Sequence, residues 1–157
     1  MITRTLASAI LAAALAITAQ GCTLVNPLPY PAYPTEPISV RALTGEWSIV
    51  SIEGEDTASL LPDGAKAPTL QFSDEGRLSG FAGVNRFSGS LDTEKLISGK
   101  WDVGQVVSTK MAGPPELMAL EQRILSALDS ADAIVSTGGS VVLTAKGKES
   151  LALVRAE

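Results

Sequence analysis

The chain has 157 residues, with 12 Lys and Arg against 17 Asp and Glu, a formal net charge of −5 and no histidine. This balance argues against nucleic-acid binding, because the counterion release that drives such binding requires clustered basic side chains. Without histidine and with Cys22 as its single cysteine, the chain lacks the commonest general base, the commonest metal ligand and any internal disulfide. We therefore expect one globular domain with an appended segment, no enzymatic activity and no cofactor or metal.

The first 21 residues have the pattern of a signal peptide. Arg4 precedes an apolar run over residues 6–17, and small and polar residues follow at 18–21. The apolar run is shorter than the ~20 residues that a membrane-spanning helix needs. A basic start, an apolar middle and a small-residue end are typical of a cleaved secretory segment. We therefore expect residues 1–21 to be removed on export.

The residues around the cleavage point resemble the bacterial lipobox, in which small residues precede a cysteine that is lipidated. The segment is Ala19-Gln20-Gly21-Cys22, and Ala19 departs from the leucine usually found at that position. Several acyl chains on Cys22 would give stable membrane anchoring. The alternative is ordinary cleavage near residues 14–16, which leaves Cys22 as a free thiol. Thr23 is not an acidic retention signal, so in a cell that has an outer membrane we expect the protein to be anchored there, facing the periplasm.

Residues 22–39 are predicted to be a tether between the anchor and the domain. Prolines stand at positions 27, 29, 31, 34 and 37. Dense proline favours the extended polyproline II conformation, at ~3.1 Å per residue. Pro31 and Pro34 have the PxxP spacing of a recognition motif, but a semi-rigid spacer is the favoured interpretation.

Residues 40–157 are expected to fold as an α+β, mostly β domain. Trp47 should be buried at the start of a first strand over Ser48–Ile52, and residues 53–66 are predicted to be a loop. Period-two alternation puts Leu70 and Phe72 on one buried face of a second strand. The remaining strands are predicted at residues 77–80, 87–91, 95–103, 106–110, 133–137, 141–145 and 151–154.

One amphipathic helix is predicted at about residues 114–131. Its apolar residues, Leu117, Leu120, Ile124, Leu128 and Ala131, recur at three- and four-residue spacing after an opening turn with prolines. About eight strands and one late helix predict an antiparallel sheet rolled into a small barrel or sandwich, with the helix covering one side.

The segment from residue 80 to residue 90 is predicted to form a tight corner between two strands. Gly80, Gly83 and Gly89 allow a positive φ or close backbone approach, and Asn85 tolerates the left-handed region. These four residues therefore serve backbone shape. Arg86 projects from this corner and is the candidate contact residue for a partner, although a solvated or internally paired arginine is the alternative.

Four separated elements together resemble the META domain family, the family of the heat-shock protein HslJ. They are Leu43-x-Gly45-x-Trp47, the corner over 80–90, the segment 108–114 and the helix that carries Glu121. The resemblance covers residues 40–156. It implies a small antiparallel β fold with one helix, export as a bacterial lipoprotein and links to stress and antibiotic tolerance, with no established catalytic activity.

The chain departs from this family pattern at two positions where the family often has cysteine. Here they are Val84 and Gly113. Joint absence is expected if the two positions pair as a disulfide in the family, because a lone thiol is a liability in an oxidising compartment. We therefore predict that Val84 and Gly113 lie within the ~7 Å Cα separation that a disulfide requires.

Two chemical interpretations are alternatives to this one. Ser108 and Lys110 could face the same side of a strand as nucleophile and base, but a lysine base must be desolvated. Acidic runs at residues 53–56 and 74–75 could ligate calcium, but both lack the spacing and glycine of a calcium loop. Acidic loop surface is the favoured interpretation.

The sequence thus predicts a lipid-anchored, monomeric envelope protein that binds or supports another envelope protein during stress. The alternative is a pilotin-like assembly chaperone or a secreted inhibitor, which would bind a peptide at an exposed groove or strand edge. An apolar groove between helix and sheet would favour that alternative.

Overall fold

A computed structural model describes residues 38–137 and 139–156. The predicted signal peptide, Cys22 and all but the last two residues of the tether lie outside these residues. Within the described part of the chain, no helix is both long enough and apolar enough to cross a membrane.

The domain contains nine strands and four helices among the described residues. The strands are β1 Gly45–Ile52, β2 Glu55–Asp56, β3 Thr69–Phe72, β4 Arg77–Phe81, β5 Arg86–Ser90, β6 Val107–Ser108, β7 Ala133–Thr137, β8 Ser140–Ala145 and β9 Lys148–Arg155. The helices are α1 Val40–Leu43, α2 Thr57–Leu60, α3 Thr93–Ile97 and α4 Pro115–Ser130.

All nine strands belong to one antiparallel sheet. Its order is β6-β5-β4-β3-β1-β9-β8-β7, and β2 pairs with β1 beside this path. The prediction of an α+β, mostly β fold is confirmed. The sheet is not closed into a barrel, because β6 and β7 end the path and do not pair with each other.

Helix α4 covers the core with the apolar stripe that its sequence predicts. Leu120, Ile124 and Leu128 are at most 2% exposed. Pro115 stands in the first turn and Glu116 follows it, as expected of a helix start. The sheet contributes Trp47 among other buried side chains, and the alternation of β3 is confirmed, since Leu70 and Phe72 are both buried.

The start of the domain is held against the end of the chain. The indole Nε1 of Trp47 donates to the carbonyl of Leu43 at 2.7 Å. Arg155 lies 4.5 Å above the Trp47 ring and donates to the carbonyls of Thr44 and Ala42. These contacts fix α1, so the chain enters the folded domain at a defined point.

The prediction of a strand at 95–103 is wrong. The Asp92 carboxylate accepts hydrogen bonds from the backbone N–H groups of Glu94 and Lys95, each at 3.1 Å, and so caps the start of α3. Gly99, with φ of +75°, ends this turn of helix. Only single bridges at Lys100 and Val103 remain of the predicted strand.

The predicted loop at 53–66 is also more ordered than expected. It contains β2 and α2. Asp56 caps α2 by accepting a hydrogen bond from the N–H of Ala58 at 2.9 Å. In both segments a side-chain cap creates a short helix that apolar periodicity does not reveal.

Candidate functional site

The corner between β4 and β5 packs closely on its neighbours, and two glycines permit this. A Cβ at Gly80 would lie 2.2 Å from the carbonyl oxygen of Thr69. Gly83 has φ of +125°, and a Cβ there would lie 3.0 Å from the carbonyl oxygen of Leu117 in α4. Gly89 lies within β5 and is less constrained, with Val103 at 3.3 Å from its added Cβ. The turn itself is limited to residues 82–85, because Gly80 lies within β4 and Gly89 within β5, and of these three glycines only Gly83 has a positive φ.

Asn85 organises the corner through its side chain. Its amide nitrogen donates to Glu121 Oε1 at 3.0 Å and to the carbonyl of Met111 at 3.1 Å. Its amide oxygen accepts from the hydroxyl of Thr109 and from the N–H of Met111, each at 2.8 Å. Asn85 is 2% exposed, and every side-chain hydrogen-bonding position is used.

The role predicted for Asn85 is therefore corrected. The sequence suggested that asparagine was there to adopt the left-handed backbone region. Asn85 is not among the residues with positive φ in the described chain. Its function is to connect the corner, α4 and the segment before α4 by hydrogen bonds.

Glu121 is the helix partner in this network. One carboxylate oxygen accepts from the Asn85 side chain, and the other accepts from the Asn85 backbone N–H at 2.8 Å. The residue is only 7% exposed. In the part of the chain that the structure describes, no Lys or Arg forms an ion pair with it. Glu121 is thus a buried carboxylate held by two N–H donors.

Val84 and Gly113 are adjacent, as predicted. A Cβ built on Gly113 would lie 3.3 Å from Val84 Cβ and 2.6 Å from Val84 Cγ2. Disulfide-bonded cysteines have Cβ atoms about 3.5–4.5 Å apart. The two positions at which the resemblance led us to expect cysteines therefore meet beside the Asn85 network.

The outer side of this network carries exposed side chains that we call the corner surface: Arg86, Val107 and Met111. Val107 is 54% exposed and Met111 is 57% exposed. Arg86 is also exposed, and its backbone N–H and carbonyl both bond to Thr109. Val107 pairs with Ser88 in register, and Arg86 precedes Ser88 by two residues. Arg86 and Val107 therefore lie on the same face of the sheet.

Glu121 also lines a cleft of about 820 Å³ between α4 and the segment before β6. We call it the α4 groove. Gln105 and Val106 form one wall, and Met118, Glu121, Leu125 and Asp129 are among the helix residues that form the other. The same groove thus contains apolar side chains and two carboxylates.

Comparison with known proteins identifies the family. The family model described as "META domain" matches residues 41–157. The chain belongs to the META domain family. No curated protein matches the sequence.

Solved structures support the same fold for this META domain. An NMR structure of a protein from Burkholderia xenovorans aligns with a TM-score of 0.57 at 20% identity, over 99% of this chain and 99% of that one. A second NMR structure aligns with a TM-score of 0.57 at 21% identity, over 74% of this chain and 94% of that one. At these identities the likeness concerns the fold.

In the described chain, the residues of the two chemical alternatives lie at the surface of the META domain: Glu53, Glu55, Asp56, Asp74, Glu75 and Lys110 are exposed and Ser108 is partly exposed. Lys110 is exposed, so its ammonium group is solvated and does not have the desolvated setting that a lysine base beside Ser108 requires. Arg123 pairs with Glu53 at 3.4 Å and with Glu55 at 2.9 Å. Among residues 38–137 and 139–156, no three metal-ligating side chains form a group that could hold a metal ion.

The sequence interpretation missed the functions of Glu121 and Thr109. Glu121 occupies the same helix face as Leu117 and Ile124, because residues four and three positions apart share a face. An acidic residue on an otherwise apolar stripe is a signal of a buried polar contact. Thr109 gave no comparable signal, since its contact depends on the pairing of β6 with β5.

Proposed function

We propose that this META domain protein is a non-enzymatic, lipid-anchored module of the bacterial cell envelope that binds another envelope protein and contributes to stress tolerance. One observation carries the binding part of this proposal. The exposed side chains of Arg86 and Met111 stand on backbone held by the Asn85 network and Thr109, and that of Val107 stands on β6, which pairs with β5.

This arrangement supports protein binding for two physical reasons. A surface that is rigid before binding loses less conformational entropy when a partner docks. Arginine and methionine are also enriched at protein interfaces, and Arg86 has no ion pair within the described chain. A partner carboxylate opposite Arg86 would form a two-pronged hydrogen-bonded pair.

The proposed anchor is the lipid on Cys22, and its support comes from the sequence around that residue. A membrane-held domain on a proline-rich tether would meet partners that are themselves bound to the envelope. We propose a monomer on the periplasmic face of the outer membrane. Metabolic labelling with palmitate tests the anchor, because a Cys22→Ala variant should lose the label while a Thr23→Ala control retains it. Equal labelling of both variants would refute lipidation at Cys22.

Co-purification from gently solubilised envelopes tests the binding proposal. Arg86→Glu should reduce the recovery of a specific envelope partner by at least tenfold. Arg77→Glu is the matched control, because Arg77 is exposed at the start of β4 and pairs with Glu75 in the preceding turn. If both variants recover the same proteins as the unmodified chain, the corner surface is not the binding site.

Stress tolerance is tested separately with the same pair of variants. Cells that produce Arg86→Glu should lose viability after heat shock to the same extent as cells that lack the protein. Cells with Arg77→Glu should survive normally. If cells with Arg86→Glu, cells with Arg77→Glu and cells that lack the protein all survive equally, a role in stress tolerance is contradicted, whatever the binding result.

The second candidate function is a pilotin-like assembly chaperone or secreted inhibitor. The α4 groove favours it, because it provides a partly apolar cleft between the helix and the segment before β6 where a peptide could lie.

A further inference from the structure

The α4 groove has a regular chemical pattern along its helix wall. Glu121, Leu125 and Asp129 are spaced four residues apart and all line the groove. Residues at this spacing form one ridge on a helix surface. The ridge therefore has an acidic side chain at each end and an aliphatic side chain between them.

The charges that line the groove are all negative. Its two ionisable lining side chains are Glu121 and Asp129, and neither forms an ion pair in the described chain. Glu121 is 7% exposed and is held by N–H donors that carry no net charge. A buried charge without a counter-charge is costly, so a cation at this end of the groove would be stabilised.

The opposite wall leads to an open strand edge. The N–H of Thr109 donates to the carbonyl of Arg86, so Thr109 and Val107 direct their backbone groups towards β5. Ser108 lies between them and directs its N–H and carbonyl away from the sheet. No strand pairs with β6 on that side in the described chain. Ser108, two residues beyond Val106 in the groove wall, therefore offers an N–H and a carbonyl with which an extended peptide can pair.

We propose that the α4 groove binds an extended segment of a partner protein with the pattern basic-x-aliphatic-x-basic. This inference rests on the protein-binding function proposed above, in its peptide-binding form. Four helix residues rise about 6 Å, and two residues of an extended strand span about 6.6 Å. Lys or Arg side chains at the two ends then lie against Glu121 and Asp129, and the aliphatic side chain lies against Leu125. The three partner side chains share one face because their spacing is two residues.

The predicted basic-x-aliphatic-x-basic pattern is tested by peptide display. Random dodecapeptides from a display library are selected for binding to the purified full chain. The bound pool should be enriched at least tenfold in basic-x-aliphatic-x-basic segments over the input pool. Binding of the selected peptides should weaken as salt is raised, because part of the attraction is between charges near the surface. Enrichment of peptides without basic residues, or no enrichment, would overturn the proposal.

Two matched variants separate the groove from general acidity. Asp129→Lys should reduce binding of the selected peptides at least tenfold, whereas Asp74→Lys, in an exposed turn outside the groove, should leave it unchanged. Both positions are exposed, so neither change removes a buried contact. If both variants lose peptide binding equally, the binding depends on the net charge of the protein and the proposal is contradicted. If Arg86→Glu abolishes partner recovery while no peptides are selected, the proposed function stands and this inference fails.

Discussion

Glu121 accepts hydrogen bonds from both the backbone N–H and the side-chain amide of Asn85, at 2.8 Å and 3.0 Å. This pair joins helix α4 to the corner between β4 and β5. Both residues are buried, so the hydrogen bonds are shielded from water. The relationship explains how a short irregular corner keeps one shape, and the corner surface depends on that shape.

Replacement of Asn85 by aspartate should strongly destabilise the domain. The change places a second carboxylate about 3 Å from Glu121 and removes the donor to Met111. We expect a loss of about 2–4 kcal/mol in the free energy of unfolding, because the site is buried. Urea denaturation followed by tryptophan fluorescence measures this loss.

The companion change Glu121→Gln tests whether the loss of stability in Asn85→Asp comes from repulsion between the new carboxylate and Glu121. In the double variant the glutamine amide can donate to the new aspartate, so the two losses should not add. We expect the loss in the free energy of unfolding of the double variant to be smaller than the sum of the two single losses by about 1 kcal/mol or more. Strict additivity would contradict a direct contact between these two side chains.

Gly80→Ala should be much more costly than Gly139→Ala. A Cβ at Gly80 would lie 2.2 Å from the carbonyl oxygen of Thr69, whereas one at Gly139 would meet nothing within 4 Å. Backbone must shift to relieve the first overlap, at a cost of about 1–3 kcal/mol or more. Thermal unfolding of the two variants compares them directly. Equal stabilities would refute the close packing of β3 on β4 at this position.

The double variant Val84→Cys/Gly113→Cys should form a disulfide without a large structural change. The two Cβ positions are 3.3 Å apart, close to the disulfide range. The bond would close a loop of about 30 residues, so the oxidised form should be about 3–4 kcal/mol more stable than the reduced form. Urea denaturation with and without a reducing agent measures the difference. If thiol counting in a Cys22→Ala background finds two free thiols after oxidation, the proximity of these positions is wrong.

Asp92 should make a pH-dependent contribution to stability. The backbone N–H groups of α3, chiefly that of Lys95, and the Lys95 ammonium hold the pKa of this carboxyl below its usual value of 3.8. Because the folded pKa is lower than the unfolded pKa, the contribution is present above pH 3.8 and is lost as the pH falls through the folded value.

The measurement is the urea midpoint of Asp92→Asn between pH 7 and pH 2.5. Asparagine retains the helix cap but carries no charge. The variant should therefore be less stable than the unmodified chain at pH 7, and the gap should narrow in acid. A gap that widens in acid would contradict the direction of the pKa shift.

Much of the fold could be predicted because local pattern and burial agree. The stripe through Leu120, Ile124 and Leu128 predicts α4, and the alternation of Leu70 and Phe72 predicts β3; in both cases one face is buried. The glycines of the corner were predictable because backbone shape there permits little else. The three C-terminal strands were predictable because short β-branched runs are separated by short turns that contain glycine.

The errors came from interactions that sequence periodicity does not encode. The apolar pattern of residues 95–103 predicts a strand, but the hydrogen bonds that Asp92 accepts start a helix there instead. The sheet remains open because no hydrogen bonds join its end strands, and this depends on tertiary geometry. For the candidate site, glycine spacing located the corner, but the contact of Asn85 with Glu121 joins residues 36 positions apart.

Site-specific photocrosslinking in intact cells tests the central proposal most directly. A photoreactive amino acid at Met111, in the corner surface, is compared with the same amino acid at Ile97 in α3; these side chains are 57% and 52% exposed. We predict that position 111 gives a discrete crosslinked envelope protein, that position 97 does not, and that Arg86→Glu removes the product. The same crosslinked products at both positions, or an unchanged product in Arg86→Glu, would contradict binding through the corner surface.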